Sequence, residues 1–452
     1  MKKNFCLICL LSCLIAHAQT ELPLLKISSN KRYFQTADGK PFFWLGDTGW
    51  LLFSKCNREE VLQYLDTRKQ QGFNIVQVMV LHSLGAVDIY GDSALLNKDI
   101  ATPNTTNNDE HNYWNNIDFV IQEAAKRGIY LGLVPLWGSN IKDGRIKAAQ
   151  ATPYARFLAQ RYGKYSNIVW INGGDIKGSD ALDVWNALGS TIRKYDAKHL
   201  ITFHPRGRNS SSEWFHKEAW LDFNMFQSGH KDYAQDTSSN EKNHFGEDNW
   251  KYVVADYKMS PVKPTIDGEP SYENIPHGLH DSMQARWTAS DVRRYAYWEI
   301  FAGGAGFTYG ENAVMQFHTM GKKGGSFGVN GNWKETIHDP GAGQMIFLKQ
   351  LILSLPYFDR IPAQAIIADN TKDKYDYILA TAGQKYAMAY TYTGRNFSVD
   401  ISKLHFRIAK ASWFNPRSGT FTVIEDFKKT GIATFDPPGE KGNGNDWVLL
   451  LQ

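Results

Sequence analysis

Two carboxylates stand at the ends of short apolar runs, and each follows a glycine: Asp175 closes Asn172-Gly173-Gly174-Asp175, and Glu269 closes Asp267-Gly268-Glu269. A pair of carboxyl groups flanking one bond can cleave an acetal. One protonates the leaving oxygen while the other acts as nucleophile or activates water. Each residue also has a plainer reading. Asp175 could cap a turn in its glycine loop, and Glu269 could pair with Arg293 or Arg294. Glu311 is a rival for the second position. Asp47 could hold substrate hydroxyls or cap the turn that follows it. His82 and His204 could bond hydroxyls, tune a carboxylate or be satisfied locally.

Something must bring these residues to one place, and the pattern of elements supplies it. From Phe42 to about Phe317, apolar strand-like runs alternate with helix-period segments, as repeated βα units around a parallel sheet require. An N-terminal hairpin turns at Asp38-Gly39 and feeds the first strand, Phe43 to Asp47. Seven more follow: Phe73–Val80, Ile129–Leu136, Asn167–Asn172, His199–His204, Leu221–Gln227, Pro264–Glu269 and Phe307–Gly310. Asn57 and Glu60 read as a capping box, and Thr152-Pro153 as the start of a helix. Eight strands over this length predict a (β/α)8 TIM barrel, whose active site lies at the C-terminal strand ends.

Those ends supply Asp47 and Trp50, Gln77 and His82, Trp137, Asn172 and Asp175, His204, Gln227, Glu269, and finally Tyr309 and Glu311. All of them count as candidate catalytic or substrate-binding residues. Strands four and seven lie nearly opposite in an eight-stranded barrel, so Asp175 and Glu269 can face each other across a sugar. Retaining barrel glycosidases often place the acid/base after strand four and the nucleophile after strand seven. On that precedent Asp175 is the acid/base and Glu269 the nucleophile, with oxygens about 5 Å apart. The glycines of Gly303-Gly304-Ala305-Gly306 close a helix rather than open one, which reads as tight packing and not a phosphate loop.

Beyond Arg360 the period changes to two. Tyr386, Met388, Tyr390 and Tyr392 point one way, with Ala387, Ala389 and Thr391 the other. The expected partition is a signal peptide over 1–18, a catalytic barrel over 19–358 and a small antiparallel β-sandwich over 359–452.

Composition bounds the rest. Met1-Lys2-Lys3, a short apolar run and Ala16-His17-Ala18 form a secretory leader, with cleavage expected before Gln19 and a lipoprotein site at Cys13 as the lesser reading. The protein is thus expected in the periplasm, at the cell surface or secreted. Of the +4 formal charge, Lys2 and Lys3 supply two, and nothing in the remaining +2 points to nucleic acid or a membrane partner. Three of the four cysteines leave with the leader, so Cys56 has no disulfide partner and reads as a small buried hydrophobe. Aromatics make up 13% of the chain, a hint of sugar stacking that filled cores explain equally well. No H-E-x-x-H and no cysteine cluster outside the leader is present, and His216 and His230 lack partners at ligand spacing, so neither metal nor organic cofactor is expected.

The stretches Gly39–Trp50, Asn172–Asp175 and Asp267–Glu273 resemble the apiosidase-like glycoside hydrolases of glycoside hydrolase family 140 over nearly the whole mature chain. The C-terminal part is similar to a module labelled collagen-binding in that architecture. The resemblance implies a retaining, exo-acting enzyme that releases apiose from side chains of the pectic polysaccharide rhamnogalacturonan II. It also implies Asp175 as acid/base and Glu269 as nucleophile. The open alternatives are another specificity on the same barrel, such as an endoglucanase, and a carbohydrate- or matrix-binding protein without catalysis.

Overall fold

The computed structural model of the chain describes residues 21–106, 109–371 and 374–452. The leader read over 1–18 and its cleavage site lie outside these residues. Eight parallel strands form the barrel: β1 (Trp44–Thr48), β2 (Ile75–Met79), β3 (Tyr130–Val134), β4 (Ile168–Ile176), β5 (Ile201–Pro205), β6 (Asn224–Gln227), β7 (Thr265–Asp267) and β8 (Gly306–Tyr309). They are hydrogen-bonded in the order β5-β4-β3-β2-β1-β8-β7-β6. Between β5 and β6 there is no continuous ladder. Asp222 N–H donates to Ile201, and the chain after β5 folds back so that Asn209–Ser210 pairs antiparallel with β6.

Around the strands run α1 (Arg58–Gln70), α2 (Tyr113–Lys126), α3 (Ala148–Tyr162), α4 (Leu182–Tyr195), a single turn α5 (Ser212–Phe215), α6 (Trp250–Tyr257), α7 (Ala289–Phe301) and α8 (Pro340–Leu353). The capping box at Asn57 and Glu60 is formed, each side chain accepting the other's backbone N–H. Helix α3 starts earlier than Thr152-Pro153 implies. Gln150 accepts the Lys147 N–H and donates to Asp99, which extends the helix back to Ala148 and leaves Pro153 inside it. Because proline has no N–H, this removes one intrahelical bond. Close packing holds at Gly306, where an added Cβ would meet Trp44 Cβ at 2.3 Å.

The C-terminal module is antiparallel throughout. A six-stranded sheet carries Ala387–Thr391 and Trp447–Leu451 at its centre, and Phe397–Asp400 pairs with Ile432–Phe435 across from it. Its alternation acquires a physical meaning here. Ala387 and Ala389 face the module's own core, whereas Tyr386, Met388, Tyr390 and Tyr392 pack into the core shared with the barrel. Across that junction Tyr297 stacks on Tyr390 at 4.8 Å. Arg293 grips Asp446 through two 2.9 Å bonds, and Arg417 reaches the same carboxylate at 3.0 Å. An arginine fork on a buried carboxylate is a strong contact, and stranding either partner is costly.

Candidate active site

Asp175 reaches the mouth of the barrel through a local distortion of β4. The register against β5 shifts between Gly173 and Ile176, and Gly173, Gly174 and Asp175 all take positive φ, at 86°, 120° and 47°. A bulge of this kind re-aims a side chain beside a functional site. The two glycines are required sterically as well. A Cβ on Gly173 would lie 2.6 Å from the His204 carbonyl oxygen, and one on Gly174 2.5 Å from the Trp137 ring. Asp175 itself tolerates the left-handed region better than most residues.

Glu269 is placed by the turn that leaves β7. Gly268 packs on Met225, where a Cβ would meet Sδ at 2.4 Å. The Glu269 N–H donates to Asp267 Oδ1 at 3.3 Å, and its carbonyl accepts from Gly229 N–H at 3.1 Å. Asp267 is itself held by the Ser228 hydroxyl and by Asn249. Its own N–H donates to the buried Glu299. Neither Arg293 nor Arg294 pairs with Glu269: they are taken by Asp446 and Glu247.

Two histidines converge on the Glu269 carboxylate. His230 Nε2 lies 3.0 Å from Oε1, and His204 Nε2 approaches Oε2 at 3.2 Å along an oblique line. The other face of His204 receives the Asp175 N–H at 3.4 Å on Nδ1. With Nδ1 accepting, the ring proton is assigned to Nε2, the nitrogen that faces Glu269. One imidazole thus bridges the backbone of Asp175 and the carboxylate of Glu269.

These surroundings pull the two carboxyl groups apart electrostatically. Asp175 keeps solvent contact at the mouth, but the crowding protein and then the Glu269 charge push its pKa above the ordinary carboxylate value. Burial alone would also raise Glu269. The close His204 ring and the hydrogen bond from His230 outweigh it and hold Glu269 well below the usual range.

A cavity of about 420 Å³ opens beside Asp175, and Gln227 and His230 line it with Asp175. Its cations are Lys142, Arg206, Arg208 and Lys231, set against Asp175 and Asp180. Trp50, Trp137 and His204 pack as an aromatic trio with ring centroids 5.1 to 5.8 Å apart.

The other strand-end residues are turned to different partners. Asp47 is fully buried and holds Arg68 Nε at 2.6 Å together with the Tyr64 hydroxyl. Gln77 donates to the Gly268 carbonyl at 2.7 Å, which makes it a support for the turn below Glu269. Asn172 is buried and donates to the Trp185 carbonyl, and Tyr309 donates to Glu273 at 2.6 Å. Glu311 caps the short helix Asn312–Met315 by accepting Val314 N–H and also accepts the Thr336 hydroxyl, both at 2.8 Å. That occupation removes it as a rival for Glu269. His82 is half-buried, lines no part of the cavity, and has its pKa lowered by burial and then by Lys55.

Residues that sequence reasoning passed over complete the site. His230 lacks any metal-ligand spacing in the chain, yet it bonds Glu269 because the chain leaving β6 continues through Ser228-Gly229 beside Asp267 and Glu269. Tyr272 stands edge-on to His230 at 4.7 Å, buried close enough that the Glu269 charge adds to burial in raising its pKa. The available signal was the run Gln227–Lys231, a polar strand end with a histidine. His216, by contrast, is structural, bonding Asn224 and the Pro261 carbonyl.

Comparison with known proteins agrees with this architecture. The family described as "Apiosidase-like, catalytic domain" matches residues 28–359, and "Putative collagen-binding domain of a collagenase" matches residues 361–452. No curated protein matches the chain. A solved structure titled "Glycoside hydrolase" superposes with a TM-score of 0.91 at 42% identity, covering 95% of this chain and 96% of the other. A glycoside hydrolase family 5 structure from Bacteroides vulgatus ATCC 8482 gives the same TM-score and identity, covering 95% and 93%. With the catalytic-domain match spanning most of its length, the chain belongs to the apiosidase-like family of glycoside hydrolases.

Proposed function

We propose that this protein is an exported, retaining, exo-acting glycosidase that removes a terminal sugar, apiose first, from pectic side chains such as those of rhamnogalacturonan II. The observation that carries the reading is geometric: Asp175 lines the cavity, and the His204 ring touches both its backbone and the Glu269 carboxylate, while the surroundings bias Asp175 toward its protonated form and Glu269 toward its ionised form. A group held protonated serves as acid, and a group held ionised serves as nucleophile. Asp175 gives its proton to the leaving glycosidic oxygen while Glu269 attacks the anomeric carbon. Asp175, now a carboxylate, takes a proton from the water that releases the sugar from Glu269.

Lys142 and Lys231, which line the cavity beside the ion-paired Arg206 and Arg208, support an acidic polysaccharide as the leaving partner. Its volume suits a chain end rather than an extended polymer, which favours exo action. Export rests on the leader read over residues 1–18. The deciding experiment incubates the purified protein with pectic oligosaccharides and identifies the released sugar and its initial anomer. Apiose released with retained configuration is expected. Release of internal fragments only, or of no sugar, overturns the reading.

A further inference from the structure

The segment 228–249, between β6 and α6, contains no helix or strand. Loops longer than about 12–15 residues are uncommon in compact domains unless they serve function. This one supplies most of the contacts that organise the site. It carries His230 to Glu269, Asp236 to Arg208 at 3.4 Å, and Glu241 to Arg206 at 2.7 Å. Such a segment pays a high entropic cost to stay in one conformation, so what fixes it matters for the chemistry.

The fixing groups come largely from the C-terminal module. Glu247 is buried, with one oxygen on Arg294 of α7 and the other accepting the Tyr375 hydroxyl at 2.8 Å. The Tyr375 ring also lies 5.7 Å from Tyr233 of the loop, and Lys374 Nζ sits 4.1 Å over Tyr233. At the loop's end, Tyr377 stacks on Trp250 at 4.6 Å and 5°. Within the loop, Tyr233 donates to Asp248 and Asp236 accepts from Gly246 N–H, so a displacement at Glu247 is carried back toward His230.

We propose that the C-terminal module is a positioning element of the active site: Tyr375, by holding Glu247, sets the loop that presents His230 to Glu269. Tyr375 and Glu247 touch no substrate and act through His230. The proposal rests on the reading of Glu269 as nucleophile. If the loop loosens, Glu269 loses a hydrogen bond that stabilises its ionised form, so the acid limb of the pH profile moves to higher pH.

The test compares full-length Tyr375→Phe, Glu247→Gln, His230→Asn and Glu269→Gln enzymes. Tyr375→Phe removes one oxygen. We expect it to lower kcat on the order of tenfold, with KM nearly unchanged, as for a lost transition-state interaction. Its acid limb should shift upward in the same sense as in His230→Asn, and the double variant should be no worse than His230→Asn alone. Lys374→Ala, which leaves the buried Glu247–Arg294 pair intact, should shift the limb in the same direction by less and guards against misfolding of the first variant. An unmoved pH profile in both Tyr375→Phe and Lys374→Ala, with only thermal stability reduced, overturns the proposal. Should that occur beside an inactive Glu269→Gln, the nucleophile assignment stands alone. A fully active Glu269→Gln overturns both.

Discussion

At Asp175 the chain accepts three successive left-handed residues in order to turn one carboxyl group out of a strand. Strain of this kind persists only where surrounding contacts over-determine it. Replacing Gly174 with Ala drives a methyl group to 2.5 Å from Trp137 and should cost on the order of 2 kcal/mol, as overpacking does. Activity should fall with it, since Asp175 moves; thermal denaturation and initial rates measure the two effects. Asp175→Ala removes a general acid and should slow turnover by about 10²–10⁴-fold. Glu269→Gln should abolish turnover without unfolding the protein, checked by circular dichroism. Strand counting placed both residues in the sequence, because strand ends in a barrel converge. What it does not encode is side-chain direction within the last pleat. That is why Asp47, Asn172 and Tyr309 share the strand ends yet bond inward, and why His230, three residues past β6, was passed over.

Among elements, β1 and α1 are tied by the Asp47–Arg68 pair, both groups fully buried. Arg68 also donates to the Ile337 carbonyl, so it ties the first βα unit to the segment before α8. Arg68→Met leaves Asp47 charged, buried and unmatched, and should destabilise the protein by about 3–5 kcal/mol in denaturant titration. Glu311 provides a contrast. It caps a short helix, so Glu311→Ala should cost about 1 kcal/mol of stability and leave kcat largely intact. A collapse of kcat in that variant would return Glu311 to the catalytic pair. The periodicities made these elements readable, including the capping box at Asn57. The start of α3 was not, because it depends on Gln150 reaching Asp99 in a distant loop.

Over the whole molecule, several buried carboxyl groups are held protonated to unusually high pH. Burial pushes Asp267, Glu273 and Glu311 each up to about 7. In the unfolded chain they titrate near 4. Between those values the folded state binds more protons, so the stability these groups contribute is complete below about pH 4 and is lost as pH rises through 7. The melting temperature should therefore decline from mildly acidic pH toward neutrality and then level off. Calorimetry across pH 4 to 8 checks this, and a rise over that interval would refute it. The mature N-terminus is the other prediction at this scale: mass spectrometry of the exported protein should find it at Gln19.

The gap in the ladder between β5 and β6 has a consequence for descent. Elsewhere in the ring, lengthening or shortening a strand breaks paired backbone bonds on both sides. At this gap the chain already leaves the ring, folds back as Asn209–Ser210, and returns with Arg206, Arg208 and His230 around the cavity. Insertions and exchanges there disturb at most the two-residue pairing of Asn209–Ser210 with β6, so this is where the barrel can acquire a taste for a different sugar while Asp175 and Glu269 stay where they are.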